Sequence, residues 1–594
     1  MKLINNKNEI YGISIICFIF LSIIFHLLIP SEFRDQRTKI DLITFLLFCI
    51  LFYITISYIN WKFRKFVKYK SLESFIYPIL FLLLLSYISF YIFFINHILA
   101  ITTISSLYLY LLIDSLINFK KFINYLKSDN QFSSYVVVLF VGFFYILVVH
   151  LFETIGDKNI EWITANRWIN LPIDNEIPRR FADKMYQGHD PRNFLFGLDW
   201  SSSDRPPLLT GIILFFRPLF EFINIPSKSS AYAAGLGYQL IWIPILLNIL
   251  RSIKINYFYS LIILLGFASN GFIFYNSIFV WPKLGAGALL LYAFFIYHKR
   301  GLLEFNDTIV IAILTALAWL SHSGLSLSIL PIVFIVLCRP KFYQTKNILV
   351  ATVVIASLCL PWLAYQKLYD PPGDRLLKWH IGGQPDAIDK NLTETIHESY
   401  SNITFEQWIE NRKLNFLRLF GDRFSYLSFM NPSSSERIVN DFYFFFRSHE
   451  IIILLSCLLT IYLICRKRFT CLISEFYKGR LFLTLLFLSL TFWIFLLFMP
   501  KSTVIHQGSY LNNLILMIVL HIFLYKFSKP LLILNTIIYM FYFAITYFPE
   551  YNSNFGSINY FSLFNLISLS VVSFVIGLIL WSKSGRKIRQ VPYE

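Results

Sequence analysis

Apolar runs close to a membrane's thickness recur along almost the whole of this sequence, and no other feature constrains its fold as strongly. A helix of ~20 residues crosses the ~30 Å hydrocarbon layer of a bilayer. Because that layer holds no water, backbone amides must bond within the chain, and each run is therefore expected to be helical. We predict an all-α polytopic membrane protein with about sixteen transmembrane helices. The predicted spans are 12–30, 41–60, 74–95, 98–117, 134–152, 230–250, 257–278, 284–298, 308–321, 323–338, 348–365, 450–465, 480–499, 510–527, 530–548 and 559–581.

The composition argues against a large water-soluble protein. Charged residues make up 14% and hydrophobic residues 57% of the 594 residues, whereas soluble domains carry ~25% charged residues. The formal net charge of +18 is expected from cytoplasmic loops and from contact with anionic lipid headgroups, and we predict no nucleic-acid partner. The seven cysteines include no Cys-X-X-Cys pair, which argues against a disulfide framework, a zinc site and a thiol nucleophile.

The positions of the basic clusters predict the orientation. Lys and Arg concentrate in cytoplasmic loops. With both termini in the cytoplasm, the basic clusters at 62–70, 120–127, 251–254, 299–300, 339–346, 466–468, 526–529 and 583–589 all fall on that side. We therefore predict a multi-pass membrane protein with both termini in the cytoplasm. The abundance of Ile, Phe, Lys, Asn and Tyr favours a bacterial source, and hence a bacterial inner or plasma membrane. The apolar segment 208–224 contains Arg217, Pro218 and Glu221. Counting it as a crossing would invert all later loops, so we predict a helix in the non-cytoplasmic interface.

Two loops are long and polar, and this orientation places both on the non-cytoplasmic side. They are called here the first loop (153–207) and the second loop (366–449). Long loops on a membrane scaffold often carry the function, so candidate residues are sought there. The predicted organisation is an N-terminal four-helix extension (1–133), a transmembrane core with the first loop and the interfacial helix (134–365), the second loop (366–449), and C-terminal transmembrane helices with a basic cytoplasmic tail (450–594).

The first loop contains many charged residues of both signs. Asp174 follows closely after a proline, and Asp204 and Arg205 precede the pair Pro206-Pro207 at the return to the membrane. Two prolines fix two φ angles and disfavour helix just before them, so Asp204 and Arg205 are predicted to be extended at the interface. Arg205 is then either an anchor to lipid headgroups or a bidentate ligand for a lipid-linked phosphate. The remaining charges fit a solvated surface on which they pair with one another.

Further candidates lie at the non-cytoplasmic ends of predicted spans. Lys283 begins one span, and His322 lies at the next turn on the same side. An ionisable residue at membrane depth is costly and points to function, although a residue at a helix end can reach water. In the second loop Arg375 and Lys378 are three residues apart and would share one helix face, with His380 close by. Such a face suits either a phosphate site or contact with lipid headgroups.

This order of parts resembles the GT-C superfamily of integral membrane glycosyltransferases, which take sugar from a polyprenyl-phosphate donor. The resemblance covers roughly 134–450. It rests on the transmembrane helix at 134–152, the acid-bearing loop after it, and the entry Pro206-Pro207-Leu208 into an interfacial helix, followed by hydrophobic spans with short turns. It implies transfer of a sugar from a lipid-linked donor to a glycan, lipid or protein acceptor of the cell envelope.

The resemblance also implies roles for particular residues. In that superfamily an acid of the first outer loop is the catalytic base of a single inverting displacement, and Asp174 occupies that place here. Rival acids are Asp204, Asp157 and Glu153. The implied donor-phosphate ligands are Arg205, Lys283, Arg375, Lys378 and His380, with His322 as a further candidate. No Asp-X-Asp or Asp-Glu pair follows the fifth span, so no cofactor is implied with certainty and a divalent metal stays open.

Two other classes of protein share these features. A polymerase or ligase of lipid-linked oligosaccharides would have the same many spans, long loops and phosphate-binding cations. A transporter or lipid flippase is the non-enzyme alternative. That class places broken helices and paired ionisable groups at the bilayer midplane, whereas the charged residues here gather in the two long loops.

Overall fold

In a computed structural model the chain is a bundle of α-helices, and the part of the chain that the structure describes contains no β-strand beyond two isolated bridges. The predicted span 12–30, the end of the predicted span 559–581 and the candidate acid Asp157 lie outside the described residues. The described residues are 36–63, 73–128, 132–153, 158–196, 200–300, 303–339, 345–384, 390–421, 433–498, 510–549 and 556–570.

The N-terminal half contains long helices interrupted by the short helices of the first loop. Its helices are α1 (Gln36–Phe63), α2 (Glu73–Ile95), α3 (His97–Ile117), α4 (Phe119–Ser128), α5 (Phe132–Val149), α6 (Ile160–Asn166), α7 (Ile177–Tyr186), α8 (Leu208–Phe222), α9 (Ser227–Gln239), α10 (Trp242–Ser252), α11 (Tyr257–Ala268), α12 (Gly271–Ile278) and α13 (Lys283–Arg300). Short 3-10 turns lie at Ile173–Glu176, Pro191–Asn193 and Ser202–Asp204.

The C-terminal half also contains long helices. The described part of the second loop forms four short helices. Its helices are α14 (Phe305–Ser321), α15 (Ser326–Leu337), α16 (Thr345–Ala364), α17 (Arg375–Gly382), α18 (Leu392–Ser401), α19 (Phe405–Arg418), α20 (Ser434–Tyr443), α21 (Glu450–Cys465), α22 (Phe469–Leu496), α23 (Tyr510–Phe527), α24 (Lys529–Tyr547) and α25 (Tyr560–Ser570). Further short turns lie at Ser323–Leu325, Tyr365–Tyr369 and Arg447–His449.

The helices agree with the predicted all-α membrane class. Among the described residues nine helical segments are long and apolar enough to cross a membrane, or ten if the bent pair α11 and α12 is one span. Several other predicted spans coincide with shorter apolar helices, such as α14 with 17 residues. The predicted total of about sixteen spans therefore stays a prediction. The segment predicted as an interfacial helix forms α8, which packs between α2 and α9.

The centre of the bundle is formed by α9, α10 and α13. From Lys283 to Tyr297 every residue of α13 is buried, and the segment Ser227–Ser252 is buried throughout its most apolar window. Helix α3 lies at the periphery and exposes Leu109, Leu112 and Leu116, as a helix facing lipid tails would. The central helices carry the residues that reach the candidate site at one end of the bundle.

A bend between α11 and α12 shapes that end of the bundle. The two helices meet at 67°. Asn270 stabilises the bend, because its Oδ1 accepts from the Ile273 backbone amide at 3.3 Å and its Nδ2 donates to the Ser448 carbonyl at 2.8 Å. Helix α12 then ends at Ile278, and the following turn leads directly to Lys283.

Close helix contact depends on one glycine of α8. A Cβ atom at Gly211 would lie 2.3 Å from the carbonyl oxygen of Ser86 on α2. Backbone cannot yield as a flexible side chain can, so this approach requires glycine. Gly479 on α22 is the contrasting case, since a Cβ there would meet nothing within 4 Å.

We predict that Gly211→Ala destabilises the protein by about 1–3 kcal/mol through overpacking. Gly479→Ala is expected to be neutral or to stabilise by up to ~1 kcal/mol through helix propensity. Thermal unfolding of the two purified variants in the same detergent measures this difference. Equal unfolding midpoints for both variants would contradict the close approach of α2 and α8.

Candidate functional site

The first loop is held on the bundle by a buried arginine. Arg167 donates from Nη1 to the carbonyls of Val148 and Val149, the latter at 2.7 Å. These carbonyls lie at the C-terminal end of α5, where the regular hydrogen bonds of the helix end, and the Val148 carbonyl also accepts from the Leu151 amide at 3.3 Å. The guanidinium carbon also lies 4.4 Å from the centre of the Trp168 ring. Arg167 therefore stabilises the start of the loop.

A buried asparagine positions Asp174. Asn175 donates from Nδ2 to the Glu161 carbonyl at 2.8 Å and to Thr164 Oγ1 at 3.3 Å. These bonds fix the short turn Ile173–Glu176 against α6. Asp174 keeps one fifth of its side chain exposed, whereas Asn175 is buried. The turn thus presents one carboxylate to an accessible space.

Other charges of the first loop pair with one another. Arg179 lies 2.7 Å from Glu161, 2.9 Å from Asp183 and 3.2 Å from Glu176. Asp183 also lies 2.5 Å from Arg217, which links α7 to α8. Burial raises the pKa of Glu161 to about 7, against the opposing effect of the adjacent Arg179. The charges pair with one another, as predicted, but Glu161, Glu176 and Arg179 are buried rather than solvated. The network therefore holds α6, α7 and α8 together.

Asp204 closes a turn. Its Oδ2 accepts from the Ser201 backbone amide at 2.9 Å, within a reciprocal capping box. Burial raises the pKa of Asp204, and the bond from Ser201 opposes that shift. The carboxylate that was a rival candidate for the base is therefore engaged in holding the chain just before Arg205.

The second loop docks on this turn through Asp370. Its Oδ2 accepts from Ser202 Oγ at 2.6 Å and from the Ser203 amide at 2.9 Å. Gln366 adds a third bond, because its Nε2 donates to the Ser203 carbonyl at 2.8 Å. The two long loops therefore pack against each other beside Arg205.

Arg205 lies between two indole rings. Its guanidinium carbon is 4.1 Å from the centre of the Trp200 ring and 4.9 Å from that of Trp281. Its Nη2 lies 3.5 Å from Asp174 Oδ1, at the outer limit of a hydrogen bond. Arg375 of the second loop lies over the same Trp200 ring at 4.5 Å. The backbone of Arg205 is extended, as the following proline pair predicts, but the same prediction is wrong for Asp204, which is the last residue of the 3-10 turn Ser202–Asp204.

Lys283 reaches the same place from the central helix α13. Its Nζ lies 4.6 Å from the Trp281 ring centre and 5.7 Å from that of Tyr510. The side chain is buried, and Asp174 interacts with it electrostatically. In the described part of the chain no carboxylate lies within 4 Å of Nζ. Two aromatic rings therefore lie beside a buried amine whose opposite charge, on Asp174, is more than 4 Å away, and burying a charge without a close partner is costly.

Two candidates of the second loop, Lys378 and His380, contact side chains of their own helix, α17, or of the residue just before it. Lys378 is buried and lies 2.9 Å from Asp374 Oδ1, one helical turn earlier. The ring of His380 stacks on Trp379 at 5.4 Å, and Trp379 stacks on Trp200 at 5.9 Å. The expected common face of Arg375 and Lys378 is therefore divided, since Arg375 lies over Trp200 and Lys378 pairs within its own helix.

Glu153 and His322 contact other parts of the structure. Glu153 accepts from Ser557 Oγ at 3.1 Å, at the opposite end of the first loop. Asp157 lies outside the described residues. His322 is buried and directly follows α14. The preceding residue, Ser321, has its Oγ 2.5 Å from the hydroxyl of Tyr238. Tyr238 packs against Gly285, which is close to Lys283 in the chain.

The structure thus brings together four of the predicted site residues. They are Asp174, Arg205, Lys283 and Arg375. One carboxylate beside three cations can take a proton at one position and bind an anion at another. Within the described ranges, no three His, Cys, Asp or Glu side chains form a group that could hold a metal ion.

The indole rings are the part of the site that sequence reasoning passed over. From the sequence, Trp281 was interpreted as a residue of the membrane interface, and nothing in the sequence marked Trp200. Both tryptophans lie within five residues of a predicted cation, and this spacing could have indicated that their rings contact it. The sequence shows Asp370 as one of several charged residues at the start of the second loop, but its role could not be predicted because its partner is more than 160 residues away.

Comparison of the chain with protein-family models, with curated proteins and with solved structures gives no match. Any functional reading therefore depends on the geometry of the site itself.

We predict that Asp370→Ala lowers stability by about 1–3 kcal/mol, because it leaves the amide of Ser203 without its acceptor. Hydrogen exchange should also accelerate over 200–207. Glu410→Ala is the control: Glu410 and its partner Lys413 are both exposed in the same loop, and such pairs contribute ~1 kcal/mol or less. Thermal unfolding and exchange mass spectrometry measure both effects. Unchanged exchange in Asp370→Ala would show that the loops do not depend on this contact.

Proposed function

We propose that the protein is a membrane glycosyltransferase of the GT-C type, which moves a sugar from a polyprenyl-phosphate donor to an acceptor on the non-cytoplasmic face. The observation that carries this proposal is the group formed by Asp174, Arg205, Lys283 and Arg375 at the junction of the two loops with α13. A base next to clustered cations is what the reaction requires.

Asp174 would act as the general base. As the acceptor hydroxyl attacks the anomeric carbon, its proton passes to the Asp174 carboxylate. The new oxygen–carbon bond forms while the bond from the anomeric carbon to the phosphate oxygen breaks. The lipid phosphate leaves with that electron pair. One displacement inverts the configuration at the anomeric carbon.

The cations would stabilise the leaving phosphate. A sugar phosphodiester carries one negative charge, and the released lipid phosphate gains a second as the bond breaks. Arg205 and Lys283 then interact more strongly with the transition state than with the donor, which lowers the barrier. The contact of 3.5 Å between Arg205 and Asp174 is long, so a phosphate can replace it and release the carboxylate for proton transfer.

A transporter or lipid flippase is the second candidate, because the 67° bend between α11 and α12 resembles the broken helices of that class. The polar groups at the bend bind protein partners, since Asn270 donates to Ser448 and Asp441 lies 2.8 Å from the Tyr547 hydroxyl. Vesicles with the purified protein and a fluorescent lipid test translocation directly. An oligosaccharide polymerase or ligase differs in requiring a lipid-diphosphate donor.

We predict that Asp174→Asn lowers turnover by about 10²–10⁴-fold with donor binding retained, because the amide cannot accept the proton. The assay follows release of lipid phosphate from a panel of undecaprenyl-phosphate hexoses and pentoses by the purified protein. Asp190→Asn removes a carboxylate of the same loop that pairs with Arg192, and it should keep full activity. Full activity of Asp174→Asn would exclude it as the base.

We predict that Arg205→Lys raises the KM for the active donor by roughly tenfold. Lysine keeps the charge but loses the bidentate fork and much of the stacking on the indole rings. Arg192→Lys is a matched control, since Arg192 also pairs with an aspartate and lies 4.1 Å from the ring centre of Tyr369. An equal change in KM for both variants would mean that Arg205 does not bind the phosphate.

A further inference from the structure

A cavity of about 520 Å³ opens in the first loop, on the other side of the turn that carries Asp174. This volume lies within the ~300–1,000 Å³ of typical small-molecule sites. Its wall combines aromatic rings with charged side chains. The lining residues that the argument uses are Trp162, Phe194, Arg180, Lys158, Lys184 and Lys228.

The cavity is strongly basic. Its lining contains five basic side chains and two carboxylates, Glu176 and Asp183, which leaves a net charge of +3. Both carboxylates are already engaged by Arg179. For Lys184 and Lys228 no ion pair is found among the described residues, so their charges can attract a ligand. A cavity of this sign concentrates anions.

The rings of the cavity carry two of these cations. Lys158 Nζ lies 4.8 Å from the ring centre of Trp162, and Lys184 Nζ lies 4.1 Å from that of Phe194. A ligand that contacts a ring and its cation together must offer an apolar face beside a negative charge. A sugar ring with a carboxylate or phosphate has both, because its axial C–H groups form an apolar face. A free inorganic anion would use the lysines alone.

The cavity adjoins the proposed base. Glu176 in its wall and Asp174 at the catalytic group belong to the same short turn. Two peptide units separate them, so their Cα atoms are at most about 7 Å apart. A saccharide in the cavity can therefore extend past this turn toward the carboxylate that would deprotonate its hydroxyl.

We propose that this cavity binds an anionic saccharide, with a carboxylated or phosphorylated sugar held by Lys184 and Lys228 and stacked on Trp162 or Phe194, whereas Arg180 is held by Glu176 at 2.7 Å. The role of that saccharide as the acceptor rests on the proposed glycosyltransferase function. Its binding does not, since binding needs no donor.

The experiment measures equilibrium binding of oligogalacturonate to the full-length protein in phosphatidylcholine nanodiscs without donor. Neutral maltooligosaccharide of equal length, inorganic phosphate and nanodiscs that contain phosphatidylglycerol are the comparison probes. The test variant is Lys184→Gln/Lys228→Gln, which breaks no ion pair among the described residues. The control is Lys390→Gln/Lys413→Gln, which removes the same charge from exposed positions of the second loop.

We expect oligogalacturonate to bind, and the test variant to weaken binding by roughly tenfold or more, whereas the control changes it little. Three results would each overturn the proposal. The first is an affinity for maltooligosaccharide equal to that for oligogalacturonate, and the second is an equal loss of oligogalacturonate affinity in the test and control variants. The third is binding of inorganic phosphate or phosphatidylglycerol with no binding of oligogalacturonate. If the protein turns over a donor but does not bind oligogalacturonate, only the proposal for the cavity is wrong. If it binds oligogalacturonate but turns over no donor, the cavity proposal stands and the proposed glycosyltransferase function is wrong.

Discussion

The contact of Asp370 with Ser202 and Ser203 is the interaction on which the candidate site depends. It joins two loops that stand more than 160 residues apart in the chain, at the point where the first loop turns back to the bundle. Trp200 and Arg205 lie on one side of this contact and Arg375 on the other. Without this contact, nothing described at this point would hold Arg375 of the second loop against Trp200 of the first loop.

The charges of the first loop divide into two kinds by the partners they find. Arg167, Arg179 and Arg217 donate to carbonyls or carboxylates that hold the loop, although Arg167 and Arg217 also lie over aromatic rings. Lys283 and Arg205 lie against aromatic rings too, and the carboxylate beside Arg205 is the more distant one of Asp174, at 3.5 Å. Rings attract a cation weakly, and Lys283 and Arg205 are therefore the two groups that the proposed function assigns to the donor phosphate.

The extended backbone of Arg205 was predictable from the sequence, because a proline pair follows it. The choice of Asp174 as the base rested on the resemblance to the GT-C superfamily and stays a prediction. Lys378 and Asp204 show the opposite case. Both have the residue type and position of a functional group, yet one forms an ion pair within its helix and the other closes a turn. Residue type alone does not tell a free charge from a satisfied one.

The sequence by itself determined the helical class of the protein, since apolar runs without water must satisfy their amides internally. It also determined where charged loops interrupt those runs. Only the tertiary structure decided which charges meet, because an ion pair or a stacked ring depends on distances between residues that the chain order leaves unrelated. The tertiary structure also decided how many of the apolar runs form long helices. A run of given hydrophobicity folds as one span, as a bent pair such as α11 and α12, or as a short buried helix. Which of these forms depends on the residues that pack around it.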